Sequence, residues 1–221
     1  MAPVLLGSAS PTQLRVLSGA LLDLAAPDWE LISLQDIAHA LSVLPRWNGM
    51  RRRQISVLEH SLSVWRAAPQ GLKLEALLHD AHEAYTGDIT RPMKRAIAWL
   101  APDGARAIKR IQHRLDVAIA RRVLFDAAPP GTVVELEAEI LAESMRDGPL
   151  LAVDDQVLRA EFGEDGPPHT VDLEADQKAK DPEGYREFII DLWLAVVPEE
   201  CRKRYGAAES AEPRQTQEES P

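Results

Sequence analysis

The stretch richest in chemistry is LLHDAHEAYTGD at 77–88, which sets two histidines, two aspartates and a glutamate beside apolar residues. On a helix, residues three or four apart share a face, so Glu83 lies on the same side as His79 and Asp80. Side chains on adjacent residues differ by about 100° around the axis and can lean toward one point. His79 and Asp80 therefore suit a metal ion, and the structural alternative is a core histidine paired with its neighbouring aspartate.

A second imidazole comes from His60, in the segment ISVLEHSLSVW. Its apolar positions Ile55, Leu58, Leu62 and Trp65 follow helical spacing, and His60 falls near the edge of that stripe. Taken alone, such a histidine is typical of a packed core rather than of a metal site.

A third component is Glu137, in the segment TVVELEAEILAESMRD. A helical wheel places Glu137 between two apolar flanks, one with Leu136 and Ile140 and the other with Leu141 and Met145. The carboxylate is therefore predicted to face the core, where it needs a cation, a metal or a proton. Pairing with a local arginine is the alternative.

Together, His60, His79, Asp80 and Glu137 offer two imidazoles and two carboxylates. This donor set suits one divalent transition ion, such as cobalt, manganese, zinc, iron or nickel, better than it suits magnesium. The lone cysteine, Cys201, excludes a site built from several cysteines. A centre of this kind with open positions for water and substrate is the arrangement that a hydrolase needs.

The elements that must position these residues are helices, because apolar residues recur at spacings of three and four. No segment shows the alternation of apolar and polar residues that is typical of a strand. The sequence predicts an all-α fold, with a single domain over 1–200, a long acidic loop at 163–181 and a disordered tail at 206–221. The helices are predicted at 11–24, 33–44, 55–68, 72–86, 104–126, 132–146 and 183–196.

The formal charge of -10 argues against a nucleic-acid polymer as partner, because binding one needs excess basic residues. Local basic clusters at Arg46 with 51–53, and at 91–95, still allow a small anionic ligand. The sequence has no apolar run of about 18 residues and no secretory signal, so we expect a cytoplasmic protein without a membrane segment.

Several motifs in order resemble the HD-domain phosphohydrolases, and most closely their bacterial 5'-deoxynucleotidase-like subfamily. The blocks are RWNGM at 46–50, EHSL at 59–62 and HDAHEAYTGD at 79–88, within a similarity that covers roughly 17–150. Short phage and bacterial members, including deoxyadenosine triphosphate hydrolases, are also similar. The resemblance implies an HD-domain helical bundle and a homodimer or higher homo-oligomer.

The resemblance also implies roles for residues in these blocks. His60, His79 and Asp80 would bind the metal, Glu83 would act on the attacking water or the leaving group, and Asp88 would position the phosphate or sugar.

Three more residues would bind substrate: Arg46 the phosphate, Trp47 the deoxyribose, where close contact excludes a 2'-hydroxyl, and Lys94 a further phosphate oxygen. The last ligand in this family is normally aspartate, and the register puts Glu137 there. Asp116 is a fallback ligand, although its sequence context does not match.

The resulting hypothesis is a metal-dependent phosphohydrolase that releases phosphate from deoxyribonucleoside 5'-monophosphates. One alternative is a triphosphohydrolase that releases tripolyphosphate, which the basic residues at 51–53 would favour. Another is a nucleotide-binding regulatory module in which Glu137 weakens the metal site. His82 is expected to point away from the ligand face and to be structural.

Overall fold

The computed structural model describes residues 11–50, 54–146, 148–162 and 181–206. Over these residues the chain is mostly helical with very little strand, which confirms the predicted all-α class. None of the helices in this part of the chain has the length and apolar character needed to cross a membrane. The helices are α1 (Leu34–Val43), α2 (Val57–Ala67), α3 (Lys73–Leu78), α4 (Glu83–Thr86), α5 (Arg91–Leu100), α6 (Pro102–Ala127), α7 (Val134–Ser144), α8 (Gly148–Phe162) and α9 (Pro182–Gly206).

Helices α1, α2, α6 and α7 confirm four of the predicted helices to within a few residues. The predicted helix at 183–196 is only the first part of α9, which continues through Pro198. No helix was predicted for α5 or α8. Apart from their end residues 181 and 206, the predicted acidic loop and tail lie outside the described residues, as does the basic run at 51–53.

The prediction of a helix at 11–24 is wrong, because β1 (Gln13–Arg15) and β2 (Leu21–Asp23) form an antiparallel hairpin there. Gly19 in the connecting turn has φ +91°, a left-handed conformation that glycine adopts readily and that ends a helix. Side chains then alternate along the second strand, so Leu22 is fully buried in the core.

A capping box fixes the start of α2, because the Ser56 hydroxyl accepts from the backbone N–H of Glu59 and the Glu59 carboxylate accepts from that of Ser56. The helix then packs its apolar face against α3, with Leu58 and Leu77 fully buried. His60 lies in the first turn of this helix and is fully buried as well. The cap therefore sets the position of the first imidazole.

The predicted helix at 72–86 is interrupted between α3 and α4. Across the interruption the backbone N–H of Ala81 bonds the carbonyl of Leu78, and that of Glu83 bonds the carbonyl of Asp80, each at 2.9 Å. These bonds span three residues rather than four, so side chains three apart are brought into line. The wheel drawn for an unbroken helix therefore does not apply to this turn, which we call the His–Asp turn (79–82).

The C-terminal helix α9 supports the His–Asp turn from behind. Trp193 is fully buried, and its indole Nε1 donates to the backbone carbonyl of Leu77 at 3.1 Å. The carbonyls in the last turn of a helix have no partner within the helix, and Leu77 lies in the last turn of α3. The indole therefore satisfies one of the carbonyls that the helix end leaves open.

Replacing Trp193 with phenylalanine keeps most of the ring volume and removes this hydrogen bond. We expect the free energy of unfolding to fall by about 1–3 kcal/mol, because the buried carbonyl of Leu77 loses its donor. Urea denaturation followed by far-UV circular dichroism, with chelator present, measures the change. Trp99→Phe is the matched control, since Trp99 is 85% exposed; equal losses in the two variants would contradict the prediction.

Candidate functional site

A cavity of about 670 Å³ opens beside the His–Asp turn. The start of α5, the N-terminal half of α8 and the turn that precedes α2 form its other walls. Seven of the residues predicted for the site line this cavity: Arg46, Trp47, His79, Asp80, Glu83, Asp88 and Lys94. The structure therefore brings most of the predicted site together.

Two imidazoles and two carboxylates meet at the wall of the cavity, where His60 is fully buried behind three residues that line it, His79, Asp80 and Asp154. Nε2 of His60 lies 2.9 Å from Oδ1 of Asp154 and 3.7 Å from Oδ2 of Asp80. Nε2 of His79 lies 3.1 Å from the same oxygen of Asp80. Ligand atoms of His60, His79 and Asp154 all fall within 4.8 Å of one another. We call these four residues the His–Asp cluster.

The donor chemistry of this cluster fits a divalent transition ion. Nε2 of His79 is buried and makes no well-formed hydrogen bond with any residue that the structure describes. Its Nδ1 contacts the backbone carbonyl of Ala76 at 2.9 Å, which fixes the ring and directs Nε2 toward the cluster. Imidazole nitrogen and carboxylate oxygen are the donors that zinc, manganese, iron and cobalt accept.

The structure does not bring Glu137 to the cluster, and Asp154 lies there instead. Helix α7 buries only one of its two predicted apolar flanks, the one with Leu141, whereas Leu136 is 57% exposed and Ile140 is 42% exposed. The helix is therefore rotated relative to the predicted wheel, and Glu137 is half-buried on the side near α9. The fallback residue Asp116 is also absent from the cluster.

The sequence does contain a signal for Asp154. Leu150 lies four residues before it, and Val157 and Leu158 lie three and four residues after it, and all three are buried. A carboxylate in the middle of such a stripe must face the protein interior. Without a predicted helix over 148–162 the stripe could not be recognised.

Arg46 and Trp47 occupy a tight turn with an unusual backbone. Trp47 and Asn48 have φ values of 52° and 54°, in the left-handed region that non-glycine residues rarely adopt. The carboxylate of Asp88 accepts from the backbone N–H of Trp47 at 2.8 Å, and Nη1 of Arg46 donates to Oδ2 of Asp80 at 2.9 Å. These two bonds hold the strained turn against the cavity.

Burial and charge shift the pKa values of two carboxyls of the site in opposite directions. Burial raises the pKa of Asp80, but His79, Arg46 and His60 outweigh it and hold that pKa well below its usual range. Burial and the negative charges of Asp80 and Asp88 raise the pKa of Glu83 well above its usual range. The two pKa values are thus shifted in opposite directions, a pairing suited to acid–base chemistry.

Arg91, at the start of α5, is a site residue that the sequence analysis did not assign. Its Nη2 donates to Oδ2 of Asp154 at 3.0 Å, and its Nη1 donates to Oδ1 of Asp155 at 2.6 Å. Arg91 thereby holds Oδ2 of Asp154, and Oδ1 is directed toward Nε2 of His60. Arg91 was noted only as part of a basic cluster, because nothing in the sequence pairs it with α8.

The expectation that His82 is remote from the ligand face is wrong. His82 lines the same cavity and is 6% exposed. The shortened turn between α3 and α4 is the reason, since it brings His82 into line with His79. Its Nδ1 lies 2.8 Å from Oδ1 of Asp116, which accounts for the buried carboxylate of that residue.

No family model matches the chain. An uncharacterized protein of Rhodobacter capsulatus is 38% identical over 128 residues, which are 54% of this chain and 62% of that protein. The uncharacterized protein YfdR of Escherichia coli is 34% identical over 124 residues, which are 56% of this chain and 64% of YfdR. The match thus spans less than two thirds of either relative. Because both relatives are uncharacterized, function must be argued from the site.

Removing the carboxylate of Asp154 tests whether Asp154 or Glu137 is the last metal ligand. We expect Asp154→Asn to lower the affinity for Mn²⁺ or Zn²⁺ by at least about tenfold, because the cluster loses an anionic donor. Glu137→Gln, the matched control, should leave the affinity at the wild-type value. Elemental analysis and metal titration of the purified variants make the measurement, and a greater loss in Glu137→Gln would contradict the assignment.

Metal binding to the cluster must displace a proton from His79. Burial lowers the pKa of this imidazole, but the negative charge of Asp80, 3.1 Å from Nε2, acts with Asp154 and the carbonyl of Ala76 to raise the pKa to about 9. The ring is therefore protonated at pH 7, and metal affinity should rise with pH until about pH 9.

Calorimetric titration of the chelator-treated protein with Zn²⁺, in buffers of different ionisation enthalpy, measures the proton release. We expect about one proton per ion at pH 7, because a coordinating imidazole must be neutral. Binding at pH 7 without proton release would contradict the raised pKa. Release that disappears in His79→Asn would identify the source of the proton.

Proposed function

We propose that the chain is an HD-domain metal-dependent phosphohydrolase that hydrolyses deoxyribonucleoside 5'-monophosphates to the deoxynucleoside and phosphate. One observation carries the proposal: His79, Asp80 and Asp154 line a cavity together with Arg46 and Glu83, and His60 is buried against them. Imidazoles and carboxylates bind the ion, and a guanidinium beside them binds an anion. The sequence motifs resemble those of nucleotide hydrolases, so we propose nucleotides as the substrates among phosphate esters.

The four residues of the His–Asp cluster would hold the ion. When bound, a divalent ion supplies a Lewis acid that polarises a phosphoryl oxygen and lowers the pKa of water. Asp154 supplies the aspartate that this family of hydrolases normally has as its last ligand. The reason for expecting a weakened site, which was a glutamate at that position, therefore no longer applies.

Arg46 binds the phosphate in this proposal. It is 8% exposed, and its guanidinium already lies beside the buried carboxylate of Asp80. A preorganised cation at this place offsets the negative charge that develops on the phosphoryl oxygens in the transition state. Lys94, which lines the same cavity, adds a second positive charge near Glu83.

Glu83 transfers the protons. Its raised pKa favours the protonated carboxyl, which can donate a proton to the sugar oxygen as the bond between phosphorus and that oxygen breaks. The carboxylate that results takes a proton from the water that adds to phosphorus. One water is consumed, the sugar hydroxyl and phosphate are released, and Glu83 returns to its starting state.

Trp47 selects the sugar in this proposal. Asp88 fixes the backbone of Trp47 in the strained turn, and the guanidinium of Arg46 stands 5.4 Å from the centre of the indole. The ring therefore has a defined place beside the phosphate-binding residue. A deoxyribose packed against it leaves no space for a 2'-hydroxyl.

A triphosphohydrolase is the second candidate, and the number of basic residues around the cavity favours it. Besides Arg46 and Lys94, the cavity is lined by Arg91, Arg95 and Arg146. Such a surface can bind a longer phosphate chain. Product analysis distinguishes the two reactions, since one releases phosphate and the other releases tripolyphosphate.

The proposed activity is tested with a panel of deoxynucleoside mono- and triphosphates and their ribose counterparts, with Mn²⁺, Co²⁺, Zn²⁺ and Mg²⁺ supplied in turn. We expect hydrolysis of the deoxynucleotides, with slower hydrolysis of the ribonucleotides. Failure to hydrolyse any of these compounds with every metal would exclude both candidate reactions. A chain that binds nucleotides without hydrolysing them would instead be a regulatory module.

Replacing Glu83 with glutamine removes the proton donor and preserves the shape of the side chain. We expect kcat to fall by about 10²–10⁴ with metal content unchanged, because general acid–base catalysis contributes in this range. Glu143→Gln, on the exposed side of α7, is the matched control and should retain wild-type kcat. A variant of Glu83 with normal kcat would exclude the assigned role.

A further inference from the structure

Two polar side chains on the wall of the cavity are buried without a full set of partners. His82 and Gln112 are 6% and 7% exposed, and both line the cavity that holds the His–Asp cluster. Nε2 of each side chain is buried and makes no hydrogen bond with any residue that the structure describes. Buried polar atoms are rarely left unsatisfied in folded proteins, so two of them on one wall indicate a ligand.

The orientation of His82 is fixed from its far side. Its Nδ1–H donates to Oδ1 of Asp116 at 2.8 Å, and Asp116 is 1% exposed. The other oxygen of Asp116 accepts from Arg146. The ring is therefore held between the His–Asp turn and α6, and its Nε2 lies on the cavity side.

Gln112 lies on α6, four residues before Asp116, so the two side chains share a face of that helix. The amide of Gln112 supplies a hydrogen-bond donor on the same wall as Nε2 of His82. A ligand with a polar edge can form hydrogen bonds with both atoms.

A second cavity, of about 680 Å³, lies between α5 and α6 and shares lining residues with the first. Gln112 and Lys94 line both cavities, and the walls of the second include Ile97, Ala105 and Ile108. Basic residues also line the second cavity, namely Arg95, Arg106, Lys109 and Arg146. The apolar part of the wall can pack against the face of a planar ring. A nucleobase has both features, namely flat apolar faces and a polar edge with donors and acceptors.

The geometry points to a nucleobase subsite in the cavity between α5 and α6, with Gln112 and His82 binding the polar edge of the base. This inference rests on the proposed function, since it assigns the second half of the same nucleotide substrate. The phosphate binds at the His–Asp cluster, and the base extends toward Ala105. Preference among bases then depends on the hydrogen bonds that Gln112 and His82 make with that edge.

The test compares the binding of the four deoxyribonucleoside 5'-monophosphates with that of 2-deoxyribose 5-phosphate, which has no base. Titrations use the full chain loaded with Mn²⁺ and carrying Glu83→Gln, so that turnover does not consume the ligand. Gln112→Leu removes the amide, and Ala105→Phe fills the apolar cavity. We expect each to raise the dissociation constant of the preferred nucleotide about tenfold and that of the sugar phosphate much less.

Matched controls lie on the exposed side of α8. Gln156→Leu and Ala152→Phe make the same changes outside both cavities and should alter neither constant. The inference is overturned if Gln112→Leu and Ala105→Phe leave the nucleotide constant unchanged. It is also overturned if they weaken the nucleotide and the base-free sugar phosphate equally.

The outcome separates this inference from the proposed function. Hydrolysis by the wild-type chain with no contribution of the base to binding would sustain the function and overturn the subsite. A base contribution that the two variants abolish, in a chain that hydrolyses no nucleotide, would sustain the subsite and exclude the function. Absence of both binding and hydrolysis would overturn both.

Discussion

The buried carboxylate of Asp80 is the constraint on which the rest of the site depends. An ionised carboxylate in the interior is costly unless cations and hydrogen bonds surround it. Its Oδ2 lies 2.9 Å from Arg46, 3.1 Å from His79 and 3.7 Å from His60. These partners come from the turn before α2, from the His–Asp turn and from α2. Three separate segments must therefore be in register before this charge is tolerated.

Most of the helices could be predicted from the sequence, because α1, α2, α6 and α7 each bury an apolar stripe. Helix α5 was not predicted, although Met93, Ile97 and Leu100 follow helical spacing. None of its residues is buried, so this stripe contributes nothing to the core. The hairpin at the start was read as a helix because alternation over three-residue strands is too short to recognise. The break after Leu78 is accompanied by a hydrogen bond from Trp193 of α9 to the carbonyl of Leu77, a long-range contact that sequence periodicity does not report.

Three of the four residues in the His–Asp cluster were predicted from the sequence. The fourth, Asp154, was missed, and it lies far along the chain from the others. His60, His79 and Asp80 could be placed together from their motifs and from helical spacing. The fourth position could not, because α7 has two apolar flanks and only its packing against α6 decides which is buried. Glu137 was therefore predicted as the last metal ligand and Asp154 was not, although both lie on amphipathic helices. Gly148 and Pro149 also precede Asp154, and a Gly–Pro pair in a sequence typically indicates a turn instead of a helix.

The connection between His60 and Asp154 has a further consequence for how the protein folds. The two residues are roughly ninety positions apart in the sequence, so their contact closes a long loop of chain and forms only after much of the backbone is ordered. An ion shared by them would act as a reversible cross-link. Its main thermodynamic effect would be to stabilise the native state over every conformation in which α8 has separated from α2.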